Sequence, residues 1–183
     1  MMKKLIVKAD RSDDPSVRKD YVTNGLESGM TTFILRKEDE ELEQLGKIEA
    51  IYSQDGEILD DSYAMIDIDT PGAQDIAMSL AGKKKAVMVK TSDWTIIPLE
   101  NMIAKFGGTG TEVYTVTSNP EDTKLFLTTM EKGVDGIVID VANPLDVRKF
   151  GEKLSQTGKE NLTEVTVTSV KAVEMGDRVC IDT

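Results

Sequence analysis

Three lysines close short apolar runs in this sequence: Lys8 after Leu5-Ile6-Val7, Lys37 after Phe33-Ile34-Leu35-Arg36, and Lys90 after Ala86-Val87-Met88-Val89. Aspartates stand close to such run ends, at Asp10, Asp93 and Asp140, and Ser92 lies between Lys90 and Asp93. A lysine whose pKa is lowered by burial or by neighbouring cations is a nucleophile; it can form a Schiff base with a carbonyl compound or act as a general base. Aspartates beside it can relay protons or hold an ammonium group. The sequence has no histidine and one cysteine, Cys180. Ser-His-Asp and Cys-His nucleophile systems, cysteine zinc clusters and an internal disulfide are therefore excluded. The plainer alternative is that Lys90 merely terminates a strand and Trp94 merely plugs the core.

Whether these groups meet depends on the elements that carry them. β-Rich runs are predicted at Leu5–Ala9, Thr32–Arg36, Ile48–Tyr52, Tyr63–Ile68, Ala86–Lys90, Glu112–Thr117, Gly136–Val141 and Leu162–Val170. Several are apolar at successive positions, the pattern of strands covered on both faces, as in parallel sheets. Helices are predicted between most of them, over 16–28, 38–45, 72–81, 99–106, 121–132 and 145–157. Asp14-Pro15, Thr70-Pro71, Asn119-Pro120 and Asn143-Pro144 each put a capping side chain before a proline, and four of the five prolines sit this way. Gly29, Gly46, Gly82, Gly107 and Gly133 follow helical runs and suit left-handed ends. The repeat breaks only at Ser53–Ser62, which reads as a loop.

This βα repeat predicts an α/β fold: a compact or incomplete TIM-like (β/α) barrel of mostly parallel strands over residues 1–160, with a doubly wound open sheet as the alternative. Residues 161–183 read as a strand pair that leaves the barrel, as expected of a fragment cut at a domain boundary. In either fold, sites form at the carboxyl ends of strands, so Lys8, Lys37, Lys90 and their aspartates are expected on one rim. Lys83, Lys84 and Lys85 fall on the opposite rim as solvating charge.

Other signals are discounted. Gly107-Gly108-Thr109-Gly110 follows a helix and precedes a strand, the reverse of a phosphate-binding turn. Glu38, Asp39, Glu40, Glu41 and Glu43 read as the solvated, dipole-complementing start of a helix, and no metal site is expected. Met65, Met78, Met88, Met102 and Met130 read as core filling. The net charge of −11 argues against nucleic acid or an anionic membrane as partner, and no apolar run spans a bilayer. A cytoplasmic location is the default, and a homo-oligomer is compatible with the sequence.

The stretch Lys90-Thr-Ser-Asp-Trp-Thr-Ile-Ile-Pro-Leu-Glu-Asn101 resembles the most distinctive motif of archaeal-type 3-dehydroquinate synthase, the second, NAD-dependent kind. Lys8-Ala-Asp10, Gly25-Leu-Glu-Ser-Gly29, Glu131-Lys-Gly-Val-Asp-Gly136 and Met175-Gly-Asp-Arg-Val-Cys-Ile-Asp-Thr183 add to it. The resemblance covers the N-terminal half of such proteins, and it implies that residues 161–183 lead toward an absent C-terminal β-rich domain following Asp182-Thr183. It implies oxidative deamination of an amino-ulosonate (2-amino-3,7-dideoxy-D-threo-hept-6-ulosonate) by NAD, then aldol closure to 3-dehydroquinate, in aromatic amino-acid biosynthesis. On that reading Lys90 engages the substrate ketone as Schiff base or acid/base. Lys37 orients the substrate carboxylate or depresses the pKa of Lys90. Asp10, Asp93 and Asp140 bind the ammonium and move protons, and Lys8 and Ser92 complete the substrate site. No NAD fingerprint is visible, so the cofactor residues are unassigned and the isolated chain is expected to be inactive. Two alternatives stay open: a Schiff-base aldolase or lyase barrel without NAD, and a non-catalytic half that binds substrate or another subunit through Trp94, Ile96 and Ile97.

Overall fold

A computed structural model describes residues 3–91, 99–128 and 132–157. In chain order the elements are strand β1 (Lys4–Lys8), helix α1 (Pro15–Glu27), β2 (Thr32–Arg36), a 3-10 helix (Lys37–Leu45), β3 (Glu49–Gln54), β4 (Glu57–Ile58) and β5 (Tyr63–Asp67). There follow α2 (Pro71–Ser79), β6 (Ala86–Lys90), α3 (Leu99–Phe106), β7 (Glu112–Thr117), α4 (Asp122–Thr128), β8 (Gly136–Ile139), a 3-10 turn (Pro144–Asp146) and α5 (Val147–Thr157).

The eight strands of the described residues form one sheet in the order β4-β3-β2-β1-β8-β7-β6-β5. Every pairing is parallel except β3 with β4. A doubly wound sheet reverses its strand order at a switch point. Here the order runs monotonically around a ring in which the first and last strands pair, Leu5 against Ile137 and Val7 against Ile139. The sheet is therefore a nearly closed barrel, with its seam where β4 and β5 lie alongside each other.

Strand periodicity divides the core in two. Leu5, Val7, Phe33, Leu35, Val87, Val89, Ile137 and Ile139 face outward and pack beneath the helices. Ile6, Ile34, Ile51, Met88, Tyr114, Val116 and Val138 fill the barrel interior. The interior face continues, two residues further along each strand, to Lys8, Arg36, Ser53, Lys90 and Asp140. Sequence alternation thus decides which rim residues share the mouth.

The proline caps form as expected. Ser16 N–H donates to Asp14 Oδ1 at 2.8 Å, Ala73 N–H to the Thr70 hydroxyl at 3.3 Å, and Leu145 N–H to Asn143 Oδ1 at 3.0 Å. Gly29 takes the left-handed conformation, with φ of 79°. Gly46 does not: its φ is 176°, extended, and a Cβ there would sit 3.2 Å from the Leu26 side chain, which would have to shift slightly. After α3 the left-handed residue is Gly108, not Gly107.

The predicted loop at Ser53–Ser62 is a correction. Ser53 and Gln54 finish β3, and Asp55-Gly56 makes a two-residue turn with φ of 51° and 85° into β4. Positive φ at both central residues is the hairpin geometry that Asp-Gly favours. Asp39 is a second correction. It is buried, not part of a solvated face, because Arg18 reaches it from α1. The predicted strand Leu162–Val170 and strand pair 161–183, with Met130, lie outside the described residues. Among the described residues no helix is long and apolar enough to cross a membrane.

Candidate active site at the carboxyl rim

The carboxyl ends of the strands surround two neighbouring clefts. The larger, about 720 Å³, is lined by Lys8, Asp10, Arg36, Lys37 and Ser53 among others. The second, about 550 Å³, is lined by Lys90, Thr91, Thr117, Asn119 and Asp140 among others. Arg11 lines both.

In the larger cleft, Lys8 Nζ donates to Asp10 Oδ1 at 2.7 Å, and the Ser53 hydroxyl donates to Asp10 Oδ2 at 2.6 Å. The Asp10 side chain is 3% exposed and that of Lys8 16%. A carboxylate so enclosed is tolerable because both oxygens are satisfied, one by a cation. Lys8 gives one of its three N–H donors to Asp10; the other two have no acceptor among the described residues. Arg36 braces the segment from the next strand, donating from Nε to the Asp10 carbonyl and from Nη2 to Asp13, each at 2.8 Å.

In the second cleft, Asp140 receives Arg11 Nη1 at 2.9 Å and lies 3.9 Å from Lys90 Nζ. The position of Asp140 is set from outside the barrel. Tyr21 of α1 donates its hydroxyl to the carbonyl of the following residue, Val141, at 2.7 Å. Burial pushes the Tyr21 pKa up, which keeps the hydroxyl protonated as the donor this contact needs.

Arg18 ties the β1 and β2 rim segments together. It is 2% exposed. Nε and Nη2 form a bidentate pair with Asp39 at 2.6 and 2.9 Å, and Nη2 also reaches Glu38 at 2.7 Å. Nη1 donates to the carbonyls of Ser12 and Asp13 at 3.0 and 3.1 Å. All five N–H groups are used, and the Asp39 hydrogen bond raises the Arg18 pKa further.

The structure brings Lys8 to Asp10 and Lys90 to Asp140. Lys37 follows the interior-facing Arg36 and so leaves that face: its Nζ lies 4.4 Å from the centre of the Tyr52 ring and 3.1 Å from Glu40. It stands on the lip of the larger cleft, and Lys90 lines the other. Ser92 and Asp93, with Trp94, lie outside the described residues. Sequence reasoning missed Arg11, Arg18, Arg36 and Ser53 as site residues. Period-2 alternation from Ile34 and Ile51 would have placed Arg36 and Ser53 at the mouth. No sequence signal marks Arg11 or Arg18.

Among the described residues no three His, Cys, Asp or Glu side chains converge as metal ligands. Among the described residues, the strand-to-helix turns after β1, β5, β7 and β8 contain no glycine, so none of them carries the glycine-rich fingerprint of a dinucleotide-binding turn.

Comparison with known proteins places this rim in context. Residues 2–154 match the family model of the 3-dehydroquinate synthase II N-terminal domain. The chain is 38% identical to a 3-dehydroquinate synthase of Methanocorpusculum labreanum, over 98% of this chain and 53% of the relative. It is 33% identical to a 3-dehydroquinate synthase homolog of Persephonella marina, over 100% of this chain and 53% of the relative. With the 3-dehydroquinate synthase of Methanoregula boonei the figures are 33% identity over 90% and 49%. The chain thus spans about half the length of the curated relatives it matches. It belongs to the 3-dehydroquinate synthase II family.

Proposed function

We propose that the protein to which this barrel belongs converts 2-amino-3,7-dideoxy-D-threo-hept-6-ulosonate to 3-dehydroquinate in the cytoplasm. The amine-bearing carbon would be oxidised by two electrons, with NAD⁺ as the oxidant when bound; water replaces the amine, ammonia leaves, and the resulting dicarbonyl closes by an intramolecular aldol step. The observation that carries the reading is the pairing of an amine with a carboxylate twice on one rim, Lys8 with Asp10 and Lys90 with Asp140. An ammonium substrate needs a carboxylate partner, and a ketone substrate needs an amine or an acid.

Lys90 engages the ketone, as Schiff base or as acid/base; 52% exposed, it is open to a ligand. Asp140 holds the ammonium and accepts its protons, with Asp93, while Asp10 keeps the Lys8 amine in place in the neighbouring cleft. Lys8 and Ser92 hold polar groups of the substrate. Lys37, on the lip of the larger cleft, orients the substrate through its polar groups. NAD supplies only the oxidising equivalent. The described turns after β1, β5, β7 and β8 carry no glycine-rich fingerprint for it, so no residue or step of this barrel is assigned to it.

Borohydride reduction of the full-length protein with substrate tests the covalent route. The amine attacks the carbonyl carbon, the oxygen leaves as water, and hydride converts C=N to a stable secondary amine. An adduct on the Lys90 peptide, absent in Lys90→Ala, is expected if Lys90 is the carrier; an adduct that persists in Lys90→Ala excludes it. NADH absorbance in step with ammonia release separates this function from a Schiff-base aldolase, which would give neither.

A further inference from the structure

Four arginines fall among the described residues, and their donors are spent differently. Arg18 uses all five N–H groups. Arg36 is held through Nε and Nη2, with Nη1 lying 3.8 Å from Glu38. Arg148 is held through Nε by Asn24 and through Nη2 by Glu27. Arg11 is held through Nη1 alone, by the carboxylate and carbonyl of Asp140. Its Nε and Nη2 have no acceptor among the described residues, although they form the side-on edge that matches a carboxylate's two oxygens. Arg11 is also half-exposed, at 46%, on the divide between the two clefts.

We propose that Arg11 is the substrate-carboxylate clamp of this site, binding the planar anion through Nε and Nη2 while Nη1 keeps hold of Asp140. The assignment rests on the reading under "Proposed function" and sharpens it. A carboxylate docked on that edge lies on the side of the planar guanidinium opposite Nη1, so it can bind without displacing Asp140. The ligand class the free edge selects is a carboxylic acid, and the Arg11–Asp140 pair sets no requirement on the substituent at its α-carbon. Lys37, engaged by Glu40 and the Tyr52 ring, is less suited to this role, because an ammonium is a point charge without a planar fork.

The test is a ligand-by-protein cycle on the full-length protein, comparing the amino-ulosonate with its C1 carboxamide by calorimetry. Wild type is expected to bind the acid about 10–100-fold more tightly than the amide, the range for a charge-assisted bidentate pair. Arg11→Lys keeps the charge but not the fork, and Arg11→Gln keeps neither. Both should cut the acid-to-amide ratio to a few-fold while leaving amide affinity nearly unchanged. An unchanged ratio in either variant overturns the assignment. So does equal binding of acid and amide by wild type, which needs no variant to fold. Turnover with an unchanged ratio would remove Arg11 and leave the proposed function standing. Selective acid binding without NADH formation would do the reverse, and failure of wild type to bind the amino-ulosonate overturns both.

Discussion

Arg18→Met removes a guanidinium that is 2% exposed and has every donor occupied. Three losses follow, of unequal size. The carboxylate of Asp39, 10% exposed, is left charged and unpaired. Glu38, at 62%, turns to water at little cost. The carbonyls of Ser12 and Asp13 lie in an accessible loop and rehydrate. The Asp39 term dominates, and removing one partner of a buried ion pair costs about 3–5 kcal/mol. That is about a fifth or more of the roughly 5–15 kcal/mol that holds a typical domain folded. With a urea dependence of about 2 kcal/mol/M, the unfolding midpoint falls by roughly 2 M. Arg18→Met/Asp39→Leu replaces both charges with apolar groups and should recover most of the loss. Urea unfolding of the two variants against wild type, read by circular dichroism, is the assay. A shift under 1 kcal/mol for Arg18→Met, or a double variant no better than the single, would refute the reasoning.

Three further outcomes follow from the same geometry. Gly25→Ala places a Cβ 2.6 Å from the Phe33 ring, so α1 must lift from the sheet; overpacking of this kind costs about 1–3 kcal/mol, measurable as a lower melting temperature. Ser53→Ala leaves Asp10 Oδ2 buried without its donor and should cost about 1–3 kcal/mol, whereas Ser53→Thr, which keeps the hydroxyl, should cost less in the same melt. Alkali should destabilise the fold from about pH 10, where unfolded tyrosines ionise. Burial and the Glu43 hydrogen bond push Tyr52 up to about 12, and burial with the Glu112 hydrogen bond raises Tyr114 further. A raised folded-state pKa gives stability that is complete below the unfolded value and lost as pH climbs toward the folded one. Denaturant midpoints between pH 8 and 11 should therefore fall, and less steeply in Tyr114→Phe.

Much of the barrel was legible because local and long-range signals agree. Ala86-Val87-Met88-Val89 is apolar at every position because outer and inner clusters share the strand, and the Asp-Pro and Asn-Pro caps fix where helices begin. The hairpin at Asp55-Gly56 was readable but hidden in a polar stretch. Asp39 was misread because its burial depends on Arg18, 21 residues away in sequence, and composition cannot show which of five acids an arginine will choose. The rim itself follows from strand ends, but the partition within it does not. Lys37 looks equivalent to Lys8 in sequence, and only the register relative to Ile34 sends its amine to Tyr52 instead of the barrel mouth. The Arg11–Asp140 pair spans 129 residues and leaves no local trace.

The central claim is that the amines and acids at the carboxyl rim perform the chemistry. It is tested most directly by steady-state NADH formation from the amino-ulosonate with full-length wild type, Lys90→Ala, Asp140→Asn and the opposite-rim control Lys84→Ala. The account predicts turnover by wild type and by Lys84→Ala, with a loss on the order of 100-fold or more in Lys90→Ala and Asp140→Asn at unchanged melting temperature. Wild-type rates in Lys90→Ala and Asp140→Asn would contradict it.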